Sequence, residues 1–153
     1  MFYQTAASNG HRPAKADDAR TLTKQLIKRL GLGNNPYKIA DGSGLSLYNY
    51  ISAELLVRLL RYAHNKEEII GHLLPALPIA GVDGTLKKRM TEPLTKGRVK
   101  AKTGTVTGIS SLAGYLTAAN NHVLAFCIFN QGVLKSAEGR AFQDKVCTAL
   151  CEP

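Results

Sequence analysis

The residues with the clearest capacity for chemistry are Lys102-Thr103-Gly104-Thr105. Set along a strand edge they would hold an anion: Lys102 supplies a fixed cation, Thr103 a hydroxyl donor, and Gly104 room for close backbone approach. The backbone N–H of Thr105, just beyond, can point at a developing oxyanion. A carboxylate-bearing substrate suits this set. Other candidates fall short. Ser43 lies directly between Gly42 and Gly44, whereas a nucleophile elbow has its glycines one position further out, a strand before it, and an ordered Asp and His after it. Thr21 and Thr85 each have a lysine three residues on, Lys24 and Lys88. The first pair sits in an amphipathic helix and the second in a loop, and neither is put forward as a nucleophile. No Ser-x-x-Lys and no Ser-x-Asn occurs in the 153 residues.

Cys127, Cys147 and Cys151 have no His or Cys at the short spacings of structural zinc, so they are read as small buried apolar side chains. Cys147 and Cys151 are one helical turn apart, so both are placed to touch Cys127. His11, His64, His72 and His122 are scattered and build no metal site. Neither a metal nor a cofactor is expected.

The elements that must position Lys102 to Thr105 come in two blocks. From Arg98 the period is 2, with Val99, Ala101 and Thr103 alternating with Arg98, Lys100 and Lys102, as in a strand with one basic face. Gly108 separates it from a second strand, about Ser110 to Ala118. Asn120-Asn121 turns the chain into a third, about His122 to Asn130. Val123 to Phe129 is apolar at every position, which predicts a strand covered on both faces. Ser136 is placed to cap a last helix bearing Phe142, Val146, Ala149 and Leu150.

Before the strands the pattern is helical. Met1 to Ala7 reads as the end of a helix. Asp17 or Asp18 can cap a helix to about Leu30, with Leu22, Leu26, Ile27 and Leu30 on one stripe. Ser52 can cap another carrying Leu55, Leu56, Leu59 and Leu60. Asn65 and Glu68 have the spacing of a capping box, opening a short helix that Pro75 ends. Helices, a three-strand antiparallel meander and a C-terminal helix give an α+β class.

Composition bounds the functions. At 44% hydrophobic and 20% charged residues the chain is globular rather than disordered, and no apolar run reaches the roughly 18 residues of a membrane span. The opening Met1-Phe2-Tyr3-Gln4-Thr5 has no secretory-signal character, which as it stands predicts a chain that stays in the cytoplasm. Twenty Lys and Arg against eleven Asp and Glu give a net charge of +9, so nucleic acid, acidic lipid or an anionic substrate is the partner class. Seven basic residues lie between 87 and 102, with Glu92 as the only acid. No Phe, Tyr or Trp lies among them, which speaks against single-strand nucleic-acid binding by stacking.

Lys102-Thr103-Gly104 also matches one element of the set S-x-x-K, S-x-N, K-T-G. Asp41-Gly-Ser-Gly-Leu-Ser46, Leu77-Pro-Ile-Ala-Gly-Val-Asp-Gly-Thr-Leu86 and Lys100-Ala-Lys-Thr-Gly-Thr-Val-Thr-Gly-Ile-Ser-Ser-Leu-Ala-Gly-Tyr115, in this order, resemble the C-terminal part of the D-alanyl-D-alanine carboxypeptidase/endopeptidase family, the class C low-molecular-mass penicillin-binding proteins. The resemblance runs from near Met1 to at least Phe129. It implies part of the penicillin-binding protein/β-lactamase-like transpeptidase fold, a periplasmic or cell-envelope setting, and acyl transfer through a serine ester without a metal. By the same resemblance residues 1–153 are the C-terminal part of one domain, whose nucleophile serine, lysine and S-x-N element lie upstream.

The implied function is therefore the substrate-anchoring portion of a serine-type carboxypeptidase acting on peptidoglycan peptides. Lys102 and Thr103 would bind the terminal carboxylate, Gly104 would leave room for the substrate to approach the backbone, and Thr105 would give half of an oxyanion hole. The chain is expected to be inactive alone. Its expected partners are peptidoglycan stem peptides and β-lactams in the complete enzyme, the upstream half, and a second copy through the edge of strand 123–129; nucleic acid is not expected. The competing readings are a basic module for nucleic acid or another anionic polymer, and a non-catalytic scaffold.

Overall fold

The computed structural model describes residues 2–34 and 36–152. Its elements are α1 (Phe2–Ser8), α2 (Ala16–Arg29), α3 (Ala53–His64), α4 (Glu67–Ala76), a one-turn 3-10 helix (Gly84–Leu86), β1 (Val99–Val106), β2 (Ile109–Thr117), β3 (Val123–Gln131) and α5 (Ser136–Cys151). This is the α+β arrangement expected. The described residues fall into two compact units that meet in sequence at Leu55 and Leu56.

In the first unit α1 packs on α2, and Ala6 and Ala19 are fully buried. Ile27, Leu32 and Leu55 form a small core with Tyr37 against it. The cap of α2 differs from expectation. Lys15 is the N-cap, and its N–H donates to the Asp18 carboxylate at 3.0 Å, so Asp18 works from inside the first turn, where negative charge also suits the helix dipole. Further on, Lys38 and Tyr50 exchange backbone hydrogen bonds of 2.7 and 2.8 Å, closing the loop that contains Ser43. Asp41 organises that loop as a turn former: it accepts the Ser43 N–H at 3.0 Å and the Ser43 hydroxyl at 2.9 Å. These bonds hold its carboxyl below the usual range. Ser43 is thus a turn residue rather than an elbow nucleophile.

The second unit is built on an antiparallel sheet of order β1-β2-β3. Asn121 takes the left-handed conformation (φ 65°) in the β2–β3 turn, as its residue type allows, and Gly108 (φ 75°) does so between β1 and β2. Val99, Ala101, Leu112, Leu116 and Phe126 point to one face and form the main core with Leu86, Cys147 and Cys151. On the other face Tyr115 packs with Leu60 and Leu77, and its hydroxyl donates to the Leu60 carbonyl at 2.7 Å. Gly114 is opposite Ala101. A side chain there would meet the Ala101 Cα at 2.6 Å, so the strands cross as closely as backbone permits.

Three expectations about packing are corrected. β3 is not covered on both faces: Val123 is 51% exposed, and only Phe126 among its residues is buried. Among the described residues β3 has a single neighbouring strand, β2, and too little helix against it to bury an uninterrupted apolar run. The buried stripe of α5 is Gly139, Gln143, Cys147 and Cys151, while Phe142 is 52% exposed and Leu150 38%. The rule that large apolar residues face inward fails because the helix presses close to the sheet, where a side chain on Gly139 would meet the Ser110 Cβ at 2.9 Å. Finally, Cys127 is paired with Ala113, on the face opposite Cys147 and Cys151, so it touches neither.

Of the remaining caps, one is as expected and two moved. Ser52 caps α3 as expected, accepting the Leu55 N–H at 3.1 Å. Lys66 rather than Asn65 precedes α4, and Lys135 rather than Ser136 precedes α5. Pro75 lies inside the last turn of α4, one residue before its end.

Candidate active site

β1 is an edge strand, and its backbone alternates between β2 and the open side. Ala80 N–H donates to the Val99 carbonyl at 2.9 Å and Ala101 N–H to the Pro78 carbonyl at 3.0 Å, so odd-numbered residues of β1 present their backbone groups outward. Past Ala101 no strand among the described residues covers this edge. The N–H groups of Thr103 and Thr105 share the parity of Ala101 and line that open edge. An extended peptide can add there as a further strand.

The side chains follow from the same register. Lys102 is exposed, and its Nζ donates to the outward Thr103 carbonyl at 2.6 Å, which anchors the cation at the edge. Lys100 lies on the same face one pleat earlier and is only half-exposed. The Thr103 hydroxyl is 3.0 Å from the Thr85 hydroxyl. A side chain on Gly104 would meet the Ser111 hydroxyl across the β1–β2 ladder, so that hydroxyl would have to turn away. Ser111 Oγ in turn donates to the Gly104 carbonyl at 3.3 Å. Beside Thr105 a cavity of about 350 Å³ is lined by Thr105, Val106, Thr107, Ile109, Val133 and Leu134, among others. Another, of about 310 Å³, involves Arg61, His64, Tyr115 and Val123 and lies toward the Val99 end of the sheet, away from Lys102.

The loop over the first half of β1 is rigid for traceable reasons. The Asp83 carboxylate accepts the Ile79 N–H at 2.7 Å, and Gly81 N–H donates to the carbonyls of Leu86 and Arg89, both at 3.0 Å. Leu86 is fully buried in the main core. Arg89 fixes the far end: its Nη2 donates to the Asp144 carboxylate at 2.6 Å and to Gln143 Oε1 at 3.1 Å. Gln143 Nε2 then donates to Ser110 Oγ and Asn130 Oδ1, both at 3.0 Å. Ser110 is the direct partner of Thr105 across the ladder. A buried polar chain thus runs from the loop through α5 to the strand that backs the site.

Sequence reasoning named the loop as a motif but gave no role to Thr85, Arg89, Gln143 or Asp144. Only Thr85, inside that motif, carried a signal. The basic stretch also changes character, since Arg89 is spent on Asp144 and Arg98 donates to the Ala118 carbonyl at 3.2 Å. Thr21 is likewise occupied, donating to the Asp17 carbonyl of its own helix at 2.9 Å. No group of three His, Cys, Asp or Glu among the described residues could hold a metal ion. No described helix is long and apolar enough to cross a membrane.

The chain is 35% identical over 135 residues to the D-alanyl-D-alanine carboxypeptidase DacB of Haemophilus influenzae, covering 86% of this chain and 28% of that protein. It is 36% identical over 134 residues to a D-alanyl-D-alanine carboxypeptidase of Actinomadura sp. (strain R39), covering 84% of this chain and 24% of that one. The chain therefore spans about a quarter of the length of these relatives. Among solved structures, penicillin binding protein 4 (dacB) from Haemophilus influenzae in complex with a β-lactam superposes with a TM-score of 0.86 at 30% identity, over 99% of this chain and 37% of that one. The TLA-1 β-lactamase, at 18% identity and a TM-score of 0.66 over 88% of this chain, shares the fold. The sequence profile of the D-Ala-D-Ala carboxypeptidase 3 (S13) family matches residues 1–151, and the chain belongs to that family.

Proposed function

We propose that these residues are the substrate-anchoring portion of a serine-type D-Ala-D-Ala carboxypeptidase or endopeptidase acting on peptidoglycan peptides in the cell envelope. The observation that carries the reading is the open edge of β1 past Ala101, which carries Lys102, the Thr103 hydroxyl and the outward N–H of Thr105 on one short run. A stem peptide lies along this edge with its terminal carboxylate at Lys102 and Thr103. Gly104 keeps the approach clear. A serine Oγ outside these residues attacks the carbonyl between the two D-alanines, and the Thr105 N–H stabilises the oxyanion. The C–N bond breaks, the leaving D-alanine takes a proton, and water hydrolyses the serine ester. β-Lactams occupy the same edge and acylate the same serine. On this reading the S-x-x-K and S-x-N elements lie outside these residues, which span about a quarter of the relatives' length.

The test is covalent labelling with a fluorescent penicillin read on a denaturing gel. The 153-residue chain alone stays unlabelled, because none of its serines has a lysine at helical-turn spacing. A polypeptide joining it to its Ser-x-x-Lys segment is labelled. A labelled band from the chain alone that vanishes when one of its own serines is changed would refute the assignment.

A further inference from the structure

We infer that Thr85 is a positioning residue that aims the Thr103 hydroxyl at the substrate carboxylate; this rests on the reading of Lys102 to Thr105 as the carboxylate anchor. A threonine hydroxyl carries one proton and two acceptor lone pairs, and it turns freely unless something fixes it. Thr103 sits on an exposed strand edge, where water would otherwise compete for its direction. Thr85 Oγ1, from a segment 18 residues away in sequence, lies 3.0 Å from Thr103 Oγ1.

At that distance one hydroxyl donates and the other accepts. A carboxylate can only accept, so when one is bound the Thr103 proton points to it and the Thr85 proton turns to the Thr103 lone pair. The two hydroxyls and the carboxylate then form a one-directional chain in which each bond polarises the next.

The placement of Thr85 is built into the backbone. It is the middle residue of the 3-10 turn Gly84–Leu86. Leu86 is sunk in the core on one side. On the other, Gly84 (φ 51°) packs so closely that a side chain on it would meet the Pro78 Cβ at 3.0 Å. Pro78 itself is bonded to β1 through Ala101. The distance between the two hydroxyls is therefore set by the loop's attachment to β1. Lys102, holding the Thr103 carbonyl, contributes charge at the same place without constraining the hydroxyl.

The experiment uses the complete enzyme, with these residues joined to their Ser-x-x-Lys segment, and compares acylation by benzylpenicillin and by its methyl ester, which lacks the free carboxylate. Thr85→Val should slow acylation by the free acid about threefold to tenfold, the worth of one neutral hydrogen bond, while the methyl ester changes less than about twofold. Thr85→Ser should restore the free-acid rate, since it returns the hydroxyl. Thr103→Val is the control on the anchor itself. If Thr103→Val leaves the preference for the free acid intact, the anchor reading falls. If Thr103→Val removes the preference and Thr85→Val behaves as the parent, the anchor stands and the role of Thr85 is overturned. Equal slowing on both compounds by Thr85→Val, without rescue by serine, would show that Thr85 only supports the loop and would also overturn it.

Discussion

Replacing Arg89 with methionine should destabilise the second unit more than any single change at the exposed anchor. The side chain of Arg89 is only 10% exposed and that of Asp144 29%. The guanidinium reaches Asp144 through Nε at 3.0 Å and Nη2 at 2.6 Å, and donates to Gln143 Oε1 and the Arg140 carbonyl at 3.1 and 3.3 Å. Methionine keeps most of the stem but leaves the Asp144 carboxylate without its partner and the Gln143 carbonyl without a donor. Breaking a buried pair by removing one member costs about 3 to 5 kcal/mol, and because water still reaches Asp144 the lower end, about 3 kcal/mol, applies. Asp144→Asn keeps the Gln143 and Arg140 contacts and should cost less, roughly 1.5 to 3 kcal/mol. The double variant Arg89→Met/Asp144→Asn orphans no charge and should be more stable than Arg89→Met alone, a coupling of about 1 to 3 kcal/mol. At about 2 to 4 °C per kcal/mol for a chain of this size, the single loss at Arg89 lowers Tm by roughly 6 to 12 °C. Circular-dichroism melts with urea titrations measure all three. Single losses that simply add in the double variant, or an Arg89→Met protein within about 0.5 kcal/mol of the parent, would refute the claim that this pair fastens the loop to α5.

Three further outcomes are expected. In the complete enzyme Lys102→Ala should lose about tenfold to a hundredfold in penicillin acylation and Lys100→Ala far less, because only Lys102 sits at the open edge; equal losses would mean that general basic charge is at work. Burial pushes the Cys147 thiol from 9.0 up to about 12 and Cys127 up to about 11. The fold therefore favours the neutral thiols, and their contribution is complete below pH 9 and is lost as pH rises toward 12. Urea midpoints at pH 8 and 10.5 should fall apart less for Cys147→Ala than for the parent, and an identical fall in both would contradict this. The third concerns β3, whose outer edge has no partner strand among the described residues and carries no charge from Val123 to Phe129. The isolated 153-residue chain should dimerise or aggregate through it, whereas a clean monomer by light scattering, with those amides protected from hydrogen exchange, would show that the edge is covered.

Much of this fold was legible because its signals are local. Period-2 alternation at Val99, Ala101 and Thr103 and the Asn120-Asn121 turn marked the strands, and the leucines of α3 marked a helix. Illegible parts depend on what lies across the space between elements. Val123 to Phe129 reads as a doubly covered strand on composition, and nothing local reveals how little covers it. Phe142 looks like a core residue and Gly139 like an interruption, yet the closeness of α5 to Ser110 reverses them. The site divides the same way. Lys102 to Thr105 is a contiguous motif, so chemistry and spacing were visible together. Thr85 and Arg89 act on residues 18 and 55 positions away, and no periodicity links such pairs.

The sheet also sorts the three thiols. Cys127 lies on the side of Leu60 and Tyr115, while Cys147 and Cys151 are sealed against the side of Val99 and Leu112. A bond from Cys127 to either of the others would need the β-strands between them to come apart. In an oxidising compartment, then, such a bond would be a record of history: it could form only in a chain that had met the oxidant before its strands closed, and its presence would separate molecules that never folded from those that did.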